Sequence, residues 1–229
     1  SSAASDVYKR QNFNDGFTLL VDKKLDWTSF DVVKKIRNMT GSKKVGHAGT
    51  LDPLASGLLI ICTGKHTKKI NDFQNLDKVY TGKFVIGATT QSHDLETEIE
   101  NHKSISGINE NEVNQVVTSF IGSQLQRPPK YSAVKVDGKR AYELARKEKN
   151  VLIKEKEIII NEFKILNFSS PVIEFYISCS KGTYIRSIAR DLGEKLGCGA
   201  YLSELRRTKI GSFCVDNADT IEELEQKIN

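Results

Sequence analysis

Twelve residues, GHAGTLDPLASG from Gly46 to Gly57, constrain the backbone more than any other part of the chain. They hold three glycines and a proline, although all 229 residues contain only 16 Gly and 4 Pro. The proline ring of Pro53 disfavours a helical conformation for Asp52, so we expect Asp52 on a loop. Glycine allows positive φ angles and close backbone approach. Such a loop can hold an acid against a ligand, but on spacing alone an aspartate that merely starts a turn is the commoner case.

Length and composition indicate a globular protein of one large domain or two small ones. The sequence is 38% hydrophobic and 28% charged, and no apolar run approaches the roughly eighteen residues that a membrane span needs. The four cysteines form no CxxC pair and have no histidine at zinc-ligand spacing, which predicts no metal site. No secretory signal is visible, and we expect a cytoplasmic protein.

The charge balance favours a polyanionic partner without demanding one. Lys+Arg 34 against Asp+Glu 29 gives a net charge of +5. The basic residues are clustered beside glycine-bearing loops and helix starts, although an ordinary solvated surface explains any one cluster about as well. The clusters are Lys43 and Lys44; Lys65, Lys68 and Lys69; Lys139, Arg140, Arg146 and Lys147; and Arg206, Arg207 and Lys209.

The hydrophobic pattern predicts an α+β fold with a mostly antiparallel central sheet flanked by helices. Strands and helices interleave without the regular rhythm of a parallel βαβ sheet. The predicted elements are strands at FTLLVDK, LLIICTG and KVYTGKFVIG, two strands within residues 154–179 and one around Ile210–Val215, and helices after Thr28, over Asn109–Ile121, over Tyr184–Leu196 and from Thr220. The sequence RPPKYSAVKVDGKRAYELARK predicts a loop, a strand, an Asp-Gly turn and a helix. Residues 1–16 lack apolar periodicity, so we expect a disordered arm or a sequence remnant there.

A second constellation lies in CSKGTYIRSIARDLGEKLGCGAYLSELRR. Arg186 and Arg190 are four residues apart on one helical face, beside an apolar stripe. They could be ordinary solvated charges, or a guanidinium could orient a loop carboxylate through a two-pronged pair. Tyr184 could face the core or form an aromatic platform. Spacing alone cannot bring Arg186 and Asp52 together.

Four motifs in order make the chain resemble the TruB family of tRNA pseudouridine synthases. They run from about Phe17 to Gly211 and are GHAGTLDPLASGLL, DKVYTGKFVIG, PPKYSAVKVDGKRAYELAR and CSKGTYIRSIARDLGEKLGCGAYLSELRRTKIG. The resemblance implies the pseudouridine-synthase fold and conversion of uridine 55 in the T arm of tRNA to pseudouridine. It implies no metal, nucleotide or organic cofactor and no membrane, and we expect a monomer.

The resemblance also implies a role for individual residues. Asp52 would be the nucleophile, attacking either the ribose or the base, and Arg186 would pair with it. Tyr80 would stack on the flipped uracil and assist proton transfer, and Tyr184 and Leu205 would line the pocket. His47 would occupy space near the position that the extruded base leaves. The residues expected to bind RNA are His47, Lys23, Lys65, Lys135 and Lys181.

The sequence departs from the family pattern at specific positions. Lys24 and Asp26 stand where the family has Pro and Gly, and Gln91 stands where it usually has Asp. We expect residues 17–229 to form the catalytic domain, with no C-terminal RNA-binding domain. Two other readings stay open: a non-catalytic RNA-binding or tRNA-folding module on the same scaffold, and the catalytic subunit of a guide-RNA particle, against which the missing domain argues.

Overall fold

A computed structural model describes residues 12–131, 135–136, 139–140 and 153–228, with only the backbone described at 135–136 and 139–140. The strands are β1 Phe17–Lys23, β2 Val45–His47, β3 Ala55–Thr63, β4 Lys78–Ile86, β5 Thr89–Thr90, β6 Ile99–Glu100, β7 Gly122–Gln126, β8 Lys135–Val136, β9 Lys139–Arg140, β10 Lys156–Ser169, β11 Val172–Cys179, β12 Ala200–Ile210 and β13 Phe213–Cys214. The helices are α1 Ser29–Thr40, α2 Ile70–Asn75, α3 Glu110–Thr118, α4 Ile185–Lys195 and α5 Ile221–Ile228. The predicted α+β class with mostly antiparallel strand pairs is confirmed.

The chain folds into two compact units. The first contains the residues up to Tyr80 and those from Leu205 onward, and the second contains residues 81–204. In the first unit, β1 and β2 each pair antiparallel with β3. The last part of β12 pairs with β3 in the parallel direction, which places Leu205 opposite Ala55.

Helix α1 covers the strands of the first unit with a short apolar face. Its N-cap Thr28 and Asp31 form a reciprocal capping box, which satisfies backbone donors that the first helical turn leaves unpaired. Val32, Val33 and Ile36 are buried in one cluster with apolar residues of β1 and β3. The helix predicted after Thr28 is confirmed.

Residues 12–16 belong to this folded unit, so the expectation of a disordered arm was wrong for them. Phe13 is only 5% exposed and packs in the same cluster as α1. Its carbonyl accepts a hydrogen bond from Thr63 Oγ1 at 2.8 Å, and Asn14 Oδ1 accepts one from the Lys43 amide at 3.0 Å. One aromatic side chain was enough to anchor a segment without periodicity.

The second unit has the strand order β4, β11, β10, β7. Its core is aromatic: the rings of Phe84 and Phe175 stack with centroids 4.1 Å apart, and Phe163 meets both edge-on. Strands β10 and β11 are the two strands predicted within residues 154–179. Helix α3 begins at a capping box formed by Asn109 and Glu112, which confirms the helix predicted there.

Some element predictions were wrong or fall outside the described residues. The strand predicted around Ile210–Val215 is two strands, the long β12 and the short β13. Most of β12 was not predicted, because its sequence AYLSELRRTKI contains several charged residues. One of them, Arg207, is buried. The helix predicted within residues 141–147 lies outside the described residues. Among the helices described, none is long and apolar enough to cross a membrane.

Candidate active site

Asp52 lies on the loop between β2 and β3, as its position before Pro53 predicted. The loop is fastened to α1 through Ser29, whose hydroxyl accepts a hydrogen bond from the Leu51 amide at 2.9 Å and contacts the Leu51 carbonyl at 3.1 Å. The Ala55 amide donates to the Asp52 carbonyl at 3.0 Å and closes a turn. The Asp52 side chain is half-buried. A carboxylate is therefore held at the surface of a fixed loop.

The buried guanidinium of Arg207 supports the loop that carries Asp52. Arg207 is 1% exposed, and its nitrogens donate to the carbonyls of Leu58 at 2.8 Å, Gly49 at 3.1 Å and Thr50 at 3.4 Å. Gly57 has a φ of +105°, and a Cβ there would overlap the backbone of Arg207. Glycine is required at this position because the two strands approach so closely.

Lys23 is a second buried cation beside the loop, a placement that does not favour its predicted contact with RNA. Its side chain is 0% exposed, and Nζ donates to the carbonyls of Trp27 at 2.7 Å, Lys24 at 2.9 Å and Pro53 at 3.5 Å. Burial lowers the pKa of Lys23 to about 8, and the negative charge of Asp52 opposes that shift. The ammonium group is thus bound to backbone carbonyls around the Asp52 loop.

Asp26, which stands where the family pattern has glycine, has a left-handed backbone conformation. Its φ is +63°, in the left-handed region that aspartate tolerates better than most residues. The Asp26 amide donates to the Pro53 carbonyl at 2.9 Å. At the other departure from the family pattern, Lys24 Nζ lies 2.8 Å from Glu222 and 4.8 Å from the centre of the Trp27 ring.

The other residues predicted in the first unit differ in exposure. Tyr80 is 8% exposed, and Leu205 is half-buried beside Ala55, three residues after Asp52. Lys65 is exposed, as a phosphate contact requires. His47 is half-buried with Nδ1 enclosed, and among the described residues that nitrogen has no hydrogen-bond partner. Burial lowers the pKa of His47.

Arg186 in the second unit is held by the segment between β5 and β6. Its Nε lies 3.5 Å from Asp94 Oδ2, and Nη1 lies 3.4 Å from the Ser92 carbonyl. Hydroxyl groups fix that segment, because Thr90 Oγ1 donates to the Asp94 carbonyl at 2.6 Å and Ser92 Oγ contacts it at 3.1 Å. Asp52 belongs to the other unit, so the pairing of Arg186 with Asp52 stays a prediction.

The protonation of His93, the residue before Asp94, is controlled by burial and by two arginines. Burial, together with the charges of Arg190 and Arg186, lowers the pKa of His93 to about 4. The residue is therefore neutral near pH 7. Its φ is +64°, so the backbone is also in the left-handed region here.

The remaining predicted residues are placed as follows. Tyr184 is half-buried immediately before α4, and Lys181 is exposed on the turn after β11. The side chain of Lys135 lies outside the described residues. The sequence patterns did not predict the supporting role of Arg207 or the contact between Arg186 and Asp94. The contact with Arg186 could have been sought among the acidic residues near Gln91, because Asp94 is only three residues away.

Comparisons with known proteins identify the family to which the chain is similar. Residues 37–185 match a family model described as TruB family pseudouridylate synthase (N terminal domain), and residues 186–229 match one described as tRNA pseudouridylate synthase B C-terminal domain. The chain is 47% identical over 225 residues to tRNA pseudouridine synthase B of Flavobacterium johnsoniae, covering 95% of this chain and 98% of that one. It is 48% identical over 233 residues to the protein of the same name from Phocaeicola vulgatus, covering 95% and 99%.

Solved structures show the same fold. The chain aligns at 25% identity and a TM-score of 0.70 with one in a structure titled "Structure of H/ACA RNP bound to a substrate RNA containing 2'-deoxyuridine", covering 93% of this chain and 53% of that one. It aligns at 25% identity and a TM-score of 0.71 with one in a "Cbf5-Nop10-Gar1 Complex", covering 95% and 60%. It thus spans little more than half of each of these structural relatives. On the matched family model and the high identity to curated relatives, the chain belongs to the TruB family of pseudouridylate synthases.

Proposed function

We propose that the protein converts uridine 55 in the T arm of tRNA to pseudouridine, acting as a monomer in the cytoplasm, with Asp52 as the nucleophile. The observation that carries the proposal is the Asp52 loop, in which two buried cations, Lys23 and Arg207, bind backbone carbonyls around a half-buried carboxylate. The names of the relatives, which are tRNA pseudouridine synthases, support the choice of substrate.

The reaction needs a nucleophile but no net exchange of atoms with another molecule. The bond between uracil N1 and ribose C1′ breaks, the base turns, and C5 bonds to C1′. C5 loses a proton, N1 ends protonated, and the product is an isomer of the substrate. A carboxylate that attacks the ribose or the base divides this change into two easier steps.

The uridine must leave its stack to reach Asp52. Extruding a base costs a few kcal/mol, which aromatic stacking and hydrogen bonding in a pocket offset. In this proposal Tyr80 stacks on the extruded uracil and assists proton transfer, and Tyr184 and Leu205 line the pocket. Arg186 pairs with Asp52, and His47 fills space near the vacated position.

Basic side chains at the surface would hold the RNA backbone. Lys65 and Lys181 are exposed and are proposed to contact phosphates, together with Lys135. Arg206 and Arg207 do not belong to this set, because Arg206 forms a two-pronged pair with Asp22 and Arg207 is buried. Binding through phosphates predicts an affinity that falls as salt concentration rises.

The direct test is to incubate the protein with an unmodified tRNA transcript and map pseudouridine along it. A second transcript with cytidine at position 55 is the control. We expect pseudouridine at position 55 of the first transcript and none in the second. Pseudouridine elsewhere would contradict the assignment to the T arm. Binding without any product at high protein concentration would favour the non-catalytic RNA-binding module.

A further inference from the structure

The side-chain amide of Gln126 binds both backbone polar groups of Tyr184. Its Oε1 accepts from the Tyr184 amide at 2.8 Å, and its Nε2 donates to the Tyr184 carbonyl at 3.1 Å. Gln126 is the last residue of β7 and is 3% exposed. The amide thus pairs with the Tyr184 peptide groups much as a neighbouring strand would, from 58 residues away.

Tyr184 needs such support because it occupies the N-cap position of α4. N-cap residues are usually Ser, Thr, Asp or Asn, whose side chains accept hydrogen bonds from the first helical turn. The tyrosine makes no such bond, and its backbone is extended, with φ −101° and ψ 111°. Only its carbonyl serves the helix, accepting from the amides of Ser187 at 3.1 Å and Ile188 at 3.2 Å. The helix therefore starts at a residue that is poorly suited to capping.

The residue after Gln126 reinforces the same attachment. The Arg127 carbonyl accepts from Ser187 Oγ at 2.8 Å and from Arg190 Nη2 at 3.3 Å. Ser187 is 0% exposed. The last residue of β7 and the residue that follows it therefore fix the first turns of α4, the helix that also carries Arg186.

We propose that Gln126 is a positioning residue, which sets the Tyr184 ring and the start of α4 for the reaction. This inference rests on the proposed function, in which Tyr184 lines the uracil pocket and Arg186 pairs with the nucleophile. The arrangement gives Tyr184 a fixed backbone while its side chain takes no part in capping. A glutamine suits the task because it offers one donor and one acceptor at a fixed separation.

Gln126→Glu tests the inference with almost no change in shape. Protonated glutamic acid can still donate to the Tyr184 carbonyl and accept from its amide, whereas the carboxylate only accepts and faces the carbonyl oxygen. Burial raises the pKa of such a carboxyl, so the change falls in an accessible pH range. We expect the single-turnover rate, relative to wild type, to be close to one at low pH. It should fall roughly tenfold to a hundredfold at high pH, since a misplacement of about 1 Å can cost on the order of 10² in rate.

Gln124→Glu is the matched control, two residues earlier on β7, and should track wild type at every pH. Circular dichroism and tRNA binding are measured for each variant, and we expect both to stay at wild-type levels. As a second readout, Gln126→Leu should cost much less rate in a Tyr184→Leu background than alone, because interacting residues are not additive.

The outcomes separate the two proposals. A pH-dependent loss in Gln126→Glu alone, together with the non-additive double variant, supports the positioning role. A rate ratio that does not change with pH, a loss shared by Gln124→Glu, or additive losses in the double variant would overturn it while leaving the proposed function intact. A wild-type protein that makes no pseudouridine overturns the proposed function, and the inference falls with it.

Discussion

Arg186 Nε lies 3.5 Å from Asp94 Oδ2, and the two side chains are only 5% and 7% exposed. A buried ion pair adds little net stability, because both charges lose their hydration, but removing one partner leaves the other uncompensated. Gln91, which replaces the usual aspartate of the family, is exposed on the same segment. Asp94 therefore supplies a buried negative charge beside this arginine within the second unit.

Asp94→Asn should destabilise the protein by about 3 kcal/mol, because it removes one partner of a buried ion pair. It should also lower the rate of pseudouridine formation, since Arg186 loses its anchor. Urea denaturation and single-turnover assays measure the two effects. Glu98→Gln makes the same change of charge at an exposed position nearby and should stay within about 0.5 kcal/mol of wild type. Equal stability of the two variants would contradict the role of Asp94.

Lys23→Met should cost about 2 kcal/mol, because the carbonyls of Trp27, Lys24 and Pro53 would lose their buried donor. The loop that carries Asp52 should loosen, so the rate should fall as well. Lys24→Met, at the adjacent residue, removes an exposed ion pair with Glu222 and should cost less than about 1 kcal/mol. Denaturation curves compare them. If Lys23→Met instead kept its stability and weakened tRNA binding at low salt, Lys23 would be an RNA contact after all.

The protein should lose stability as the pH falls from about 6.5 towards 4. An unfolded histidine has a pKa of about 6.5, whereas burial and the arginines lower the pKa of His93 to about 4 in the folded state. Between these values the unfolded chain binds more protons, so acid favours unfolding, by on the order of 3 kcal/mol once both values are passed.

His93→Asn should flatten this acid limb, since asparagine also tolerates a positive φ and does not titrate in this range. His102→Asn, at an exposed histidine, should keep the wild-type profile. Urea denaturation at pH 7 and pH 4.5 measures the difference. A wild-type acid limb that survives unchanged in His93→Asn would show that other groups cause it.

Part of the site could be predicted from the sequence by rules that involve only neighbouring residues. Pro53 fixed the expectation that Asp52 lies on a loop, and Thr28 marked the start of α1; both follow from neighbouring residues alone. The functions of Lys23 and Arg207 did not follow, because lysine and arginine are rarely fully buried. Their burial depends on carbonyls that converge from distant segments, and a pattern within one segment does not contain that information.

For the same reason, the sequence did not predict the two residues that bind Tyr184 and Arg186. Gln126 and Asp94 are polar residues on a strand end and a turn, where solvent exposure is the ordinary expectation. Only the fold brings Gln126 to the start of α4, 58 residues along the chain, and Asp94 to Arg186. Residues whose partners lie far along the chain leave no local signal.

The most direct measurement is the single-turnover rate of Asp52→Asn on an unmodified tRNA transcript, together with its tRNA binding. Asparagine keeps the size of the side chain and removes the nucleophilic carboxylate. We expect binding close to wild type and no pseudouridine at position 55, even with excess enzyme and long incubation. Pseudouridine formed by Asp52→Asn at a rate near wild type would show that Asp52 is not the nucleophile.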